Sequence, residues 1–117
     1  MADSNSSSAG VREGKYEAAE RFTLAEAPGL RVRQLGLAVG QCVPWHYHSD
    51  ITDTLFCMKG PIRVKLRSPA EVVVLQPGET LAIPPGRPHL VAGEDNQACQ
   101  FMAVQGVGIY DYVAADE

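Results

Sequence analysis

A chain of 117 residues with 45% hydrophobic and 21% charged residues has the size and composition of one ordinary globular domain. Its net charge of −4 supplies no basic face for nucleic acid, and no apolar run reaches the roughly 18 residues a membrane span needs. Three cysteines, Cys42, Cys57 and Cys99, form an odd set without a CxxC pair; with no export signal at the start, they read as free thiols in a reducing cytoplasm, packed as small hydrophobes.

In chain order, the sequence predicts a disordered tail over 1–15 and a single domain over 16–117. The first ten residues are Asp, Asn, Ser, Ala and Gly after Met1, with almost nothing apolar to bury. Residues 16–22 make one helical turn, or residues 22–24 make a short first strand. Pro28-Gly29 turns the chain. Residues 30–39 read as a strand whose apolar parity slips between Val32 and Leu35, which predicts a bulge or two short strands near Gln34. Residues 44–48 are extended behind Pro44, 49–52 bend, and 53–58 resume as a strand. After Gly60-Pro61, Ile62, Val64 and Leu66 alternate with Arg63, Lys65 and Arg67, the pattern of a strand with one wet face. Further strands are expected over 71–76, 80–83, 88–92, 98–105 and 109–113, with turns at Pro69, Pro77-Gly78, Pro84-Pro85-Gly86 and Gly93. About eight to ten short strands with regular turn signals, and no amphipathic helix, mean an all-β sandwich or barrel.

Chemistry concentrates in two stretches that hold all three histidines of the chain. In His46-Tyr47-His48, strand alternation aims both imidazoles at one side and sends Trp45 and Tyr47 to the other. Neutral imidazole is the commonest protein ligand for a transition metal. By itself such a pair is more often two polar residues on a solvated sheet face. Asp53 follows after a bend that lets its carboxylate swing back towards the pair; Asp50, on the parity of His48, is its rival, and either aspartate serves equally as a turn residue bonded to its own backbone. His89 arrives from a distant strand behind Pro84, Pro85, Gly86 and Pro88, as a third ligand or as a core histidine.

Two spacings join these residues. G-x5-HxH-x4-D-x6-G runs over Gly40, His46, His48, Asp53 and Gly60, and G-x5-P-x-G-x2-H over Gly78, Pro84, Gly86 and His89. Together they resemble the two signature motifs of the cupin superfamily, over roughly residues 30–104, in the short-spaced form of small single-domain bacterial cupins. The family usually has Glu at the place of Asp53 and Asn at the place of Gly93. The resemblance implies a double-stranded β-helix, or jelly-roll, barrel. It implies a divalent transition metal (Fe, Mn, Ni, Cu or Zn) held by His46, His48, His89 and Asp53, with positions left open for substrate. It implies a homodimer, with strand exchange through residues 22–24 as one way to build it. In such a barrel Leu55, Cys57, Phe101 and Met102 would wall an apolar pocket. Tyr110, Tyr112 and Trp45 would bracket its mouth or fill an interface, and Arg87 would bind a substrate carboxylate or lie exposed in its loop. The expected function is a small metal-dependent enzyme of dioxygenase, lyase or isomerase type acting on a small polar organic substrate. A non-catalytic metal-assisted binding or sensing module, and a relic that has lost its metal, are the alternatives.

Overall fold

The computed structural model describes residues 11–12 and 16–115, so the tail expected over 1–15 falls almost entirely outside the described residues. The strands are β1 (Val11–Arg12), β2 (Glu17–Ala18), β3 (Glu20–Ala27), β4 (Leu30–Leu37), β5 (Cys42–Tyr47), β6 (Thr52–Lys59), β7 (Ile62–Leu66), β8 (Glu71–Leu75), β9 (Thr80–Ile83), β10 (His89–Gly93), β11 (Cys99–Gly106) and β12 (Val113–Ala114). The one helical element among the described residues is a 3-10 turn at Glu94–Asn96. The helical turn considered for residues 16–22 is therefore replaced by β2 and the start of β3.

Two five-stranded antiparallel sheets, in the orders β12-β5-β10-β7-β8 and β3-β4-β11-β6-β9, enclose one core as a double-stranded β-helix. Alternation decides which side chains enter it. On β7, Ile62, Val64 and Leu66 are buried while Lys65 stands in water, as the sequence pattern required. The strand register sorts the inward residues into rows. Val43, Val91 and Val64 lie side by side in the first sheet, and Cys57, Phe101 and Leu35 in the second. One end of the barrel breaks this apolar filling. There His46 stands beside His89 in the first sheet, and Asp53, Gln105 and Arg31 are consecutive cross-strand neighbours in the second.

The parity slip near Gln34 has a different origin from the one expected. Strand β4 pairs with β11 residue for residue along its whole length, and the irregularity lies in β3, between Thr23 and Ala25. The inward positions of β4 are Arg33, Leu35 and Leu37, and Arg33 is 8% exposed. A buried arginine, not a bulge, interrupts the apolar alternation.

The last strand is also shorter than expected. Only Val113–Ala114 pair, with Tyr47 and His46. Residues 107–112 form a strap over the polar end of the barrel instead. Its Gly108 N–H donates to the Gly29 carbonyl at 2.9 Å, and its Ile109 N–H to Asp50 Oδ2 at 2.8 Å, while Asp111 Oδ1 accepts from the Ser49 N–H at 2.7 Å. Main-chain groups satisfied in this way are not available to a neighbouring strand. Asp50 is thus a tether for the strap, not a member of the histidine cluster.

Candidate metal centre

The two motifs are joined directly. The Gly86 N–H donates to the His48 carbonyl at 2.7 Å, from a backbone with φ of 82° that suits glycine. This bond sets the loop before His89 against the end of β5. Gly93 has its own reason: a side chain there would collide with the Gln97 carbonyl, so the Asn of the family pattern has no room.

His46, His48, Asp53 and His89 come together, each 4% exposed or less, with one ligand atom apiece lying within 4.8 Å of one another. Donors about 2.0–2.2 Å from a single ion stand roughly 3–4.3 Å apart, so the cluster needs only a small contraction to share one. Asp53 reaches the histidines despite its short side chain, because its strand begins beside them and its carboxylate points inward.

The imidazoles are oriented from behind. Nδ1 of His46 bonds the Pro44 carbonyl at 2.8 Å, Nδ1 of His89 the Arg87 carbonyl at 2.8 Å, and Nδ1 of His48 the Asp111 carbonyl at 2.6 Å. A carbonyl only accepts, so in each ring the proton sits on Nδ1 and the neutral Nε2 presents a bare lone pair. Asp53 Oδ2 lies 3.2 Å from Nε2 of His48 and 3.3 Å from Nε2 of His89. Lone pairs then face a carboxylate, an arrangement that requires a cation between them, either a proton or a metal ion. Asp53 Oδ1 is buried with no hydrogen-bond partner, a second open acceptor in the same place. Three imidazole nitrogens and one carboxylate oxygen therefore fit a divalent transition metal and form a site able to hold one.

Electrostatics separates the members. Burial, with the neighbouring His89, pushes His46 down to about 3, so this ring is neutral at any ordinary pH. Burial also disfavours charge on His48, but the Asp53 carboxylate and the Asp111 carbonyl outweigh it and raise its value. Burial works against the Asp53 charge too; the contacts with His48 and His89 prevail and hold its carboxyl well below the usual range.

A cavity of about 30 Å³ opens beside the cluster, bounded by Leu55, Val91, Phe101, Gln105, Tyr110 and Tyr112 among others. Tyr112 stacks on His46 with ring centroids 4.5 Å apart and planes within 9°, and Tyr110 lies 5.3 Å from His48. Burial raises the values of both phenols, so both keep their protons. Several expected wall residues lie elsewhere. Met102 follows Phe101 on β11 and faces the opposite side of the sheet. Cys57 is buried deeper, against Gly60. Trp45 is on the outer face, with the Arg67 guanidinium 3.9 Å from its ring. Arg87 binds no cavity: its guanidinium donates to the Arg67 and Pro69 carbonyls and to Glu71, which pins its own loop.

Among the polar and aromatic residues at or beside the cavity, Gln105, Arg31 and Tyr16 went unread in the sequence. Arg31 donates from Nε to Gln105 Oε1 at 3.2 Å and lies 3.7 Å from the Tyr110 ring centroid. For Arg31 the parity slip in residues 30–35 was a signal, since Arg31 and Arg33 share the inward parity of Leu35; Gln105 had none. Nothing in the sequence singled out Tyr16, which reaches the cavity by stacking on Tyr112 at 6.0 Å.

A family model described as the cupin domain matches residues 34–105. No curated protein matches the chain in sequence. Among solved structures, the chain is similar to an uncharacterized conserved protein with a double-stranded β-helix domain from Klebsiella pneumoniae, at 18% identity and a TM-score of 0.73 over 93% of this chain and 91% of that one. It is similar to a cupin-2 domain containing protein from Shewanella frigidimarina, at 22% identity and a TM-score of 0.62 over 74% and 78%. It also resembles part of the oxalate decarboxylase of Lactobacillus farciminis, at 17% identity and a TM-score of 0.72 over 85% of this chain and 32% of that one. No helix among the described residues is long and apolar enough to cross a membrane.

Proposed function

The chain belongs to the cupin domain family, and on that premise we propose that it is a metal-dependent enzyme of dioxygenase, lyase or isomerase type whose ion is held by His46, His48, His89 and Asp53. One observation carries the reading. Three main-chain carbonyls fix three Nδ1 protons, so three Nε2 lone pairs and an unbonded carboxylate oxygen converge on one buried place. When bound, a divalent ion supplies Lewis-acid or oxygen-activating chemistry there.

The chain's own residues provide the rest. His46 is held neutral by burial and kept in plane by the Tyr112 ring. Leu55, Val91 and Phe101 exclude bulk water from one side of the cavity, which strengthens every polar contact inside it. Tyr110 and Tyr112 carry protonated phenols, and Gln105 an amide, on the walls that a bound small molecule would meet.

The test is metal content after purification without chelator, beside His46→Ala, followed by turnover on a panel of small organic metabolites. Stoichiometric metal in the wild type, its loss in the variant, and product formed only by the loaded protein are expected. Equal metal content in the two proteins refutes the reading. Among the described residues the cavity walls carry no carboxyl or imidazole besides the proposed ligands, which favours a second reading, a non-catalytic metal-assisted binding module. Thermal stabilisation by a metabolite without turnover distinguishes it. A homodimer belongs to the same proposal, supported by the exposed Leu24 on edge strand β3; light scattering at twice the chain mass is its check.

A further inference from the structure

The cavity beside the histidines, at about 30 Å³, is too small for an organic molecule. It is not isolated. Gln105 and Tyr110 line it from one side and, from the other, line a groove of about 610 Å³ on the outside of the barrel mouth. A groove of that size is in the usual range for small-molecule sites. The shared walls put the outer groove next to the inner cavity, on one route for the body of a substrate whose reacting end lies at the histidines.

The outer groove has a definite chemistry. Its floor holds Arg31, the third residue of the inner row that starts at Asp53 and continues through Gln105. The Tyr110 ring, 3.7 Å away, and Gln105 Oε1, 3.2 Å from Nε, hold the guanidinium in place. A guanidinium carries five N–H donors in a fixed fork, more than the Gln105 carbonyl and the Tyr110 hydroxyl take up. Around it stand Leu30, Val107 and Ile109, the last two 82% and 79% exposed. Apolar side chains left in water around an ordered cation are a surface that gains by being covered. Glu26, directly opposite Arg31 in the β3–β4 register, lines the same groove and repels a second negative charge.

We propose that this groove binds a monocarboxylate with an apolar body, its carboxylate on Arg31 and its far end directed between Gln105 and Tyr110 towards the histidines. Two strand spacings, roughly 10 Å, separate the backbones of Arg31 and Asp53, a span that suits an acid of a few carbons. The place of reaction rests on the metal-centre reading; the carboxylate anchor does not. Arg31 takes the role that Arg87, tied to its own loop, does not fill.

The test uses hexanoate and hexanamide as probes in NMR titrations of the zinc-loaded full chain, following the Gln105 side-chain amide and the Tyr110 ring. Hexanoate is expected to shift both signals and hexanamide neither. Butyrate should bind several-fold more weakly than hexanoate, since it covers less of Val107 and Ile109. Arg31→Gln should weaken hexanoate about tenfold or more. Arg31→Lys, which keeps the charge but loses the fork, should fall between. The wild type stripped of zinc with a chelator should bind hexanoate within about twofold of the zinc-loaded protein. A wild type that takes up no zinc but still binds hexanoate through Arg31 sinks the metal reading and spares this one. Equal binding of acid and amide in the wild type, or no binding of hexanoate, overturns the proposal without any variant. So does binding that is unchanged in Arg31→Gln and abolished when zinc is stripped from the wild type, which would put the carboxylate on the metal.

Discussion

The two ends of the barrel are built from the same strands and hold opposite interiors. At one end Cys57, Phe101 and Leu35 face Val43, Val91 and Val64 as apolar rows, and four of these residues, Leu35, Phe101, Val43 and Val91, also form the apolar side of the cavity. Two to four residues further along the same strands, the inward positions become His46, His89, Asp53, Gln105 and Arg31. The first end supplies folding energy and a rigid frame. The second spends some of that stability on buried polar groups that only a cation and a ligand complete. The comparison teaches that rigidity and reactivity are separable here, and substitutions at the two ends should have separable effects.

The sharpest break comes from the ligands. His89→Ala or His46→Ala should lower metal affinity by at least about a hundredfold, read by competition with a chromophoric chelator. The variants should still fold, because the apolar rows are untouched. Phe101→Ala is the opposite experiment. It should cost about 3–5 kcal/mol of stability in urea melts, with metal still bound stoichiometrically by the folded fraction. A variant in this apolar row that abolished metal binding while leaving stability intact would dissolve the distinction between the ends.

Smaller effects sharpen it. Asp53→Asn keeps the shape but removes the charge between His48 and His89, and metal affinity should fall about tenfold to a hundredfold. Metal affinity should also fall as pH drops. The His48 value is raised, so its proton persists to a higher pH than on an ordinary histidine and competes with the ion through that range; above it, affinity levels off. His46, pushed down to about 3, takes no part in that competition. Chelator competition between pH 5 and 8, roughly the range of histidine titration, gives the midpoint. Asp53→Asn should lower that midpoint, because it removes the charge that holds the proton on His48. The smallest change is at Arg87→Ala, whose pair with the half-exposed Glu71 is worth about 1 kcal/mol or less, with metal and ligand affinity unaltered.

Much of this was legible in the sequence, because much of it is local. The β7 alternation of Ile62, Val64 and Leu66 needs only the two-residue period of a strand. His46 and His89 each find the acceptor that orients them two residues back, at Pro44 and Arg87, so the motif carries its own support. The turns at Gly78 and Gly86 are likewise local, with positive φ at both. What the chain order by itself determined was therefore an all-β barrel and a shared direction for His46 and His48.

The rest needed residues far apart in sequence to meet. The His48 ring is oriented by the Asp111 carbonyl, 63 positions away, on a strap that reads in sequence as a strand. The Arg31 guanidinium has its place only because β4 and β6 both pair with β11, which puts Gln105 between it and Asp53. Arg87 reads in sequence as a residue able to bind a substrate carboxylate, and the Arg67 and Pro69 carbonyls with Glu71, brought from 16 to 20 positions away, take up its guanidinium instead. Local periodicity specifies which side of a strand a residue occupies. Which residues of other strands share that side, and so what chemistry is possible there, is decided only when the register closes the barrel.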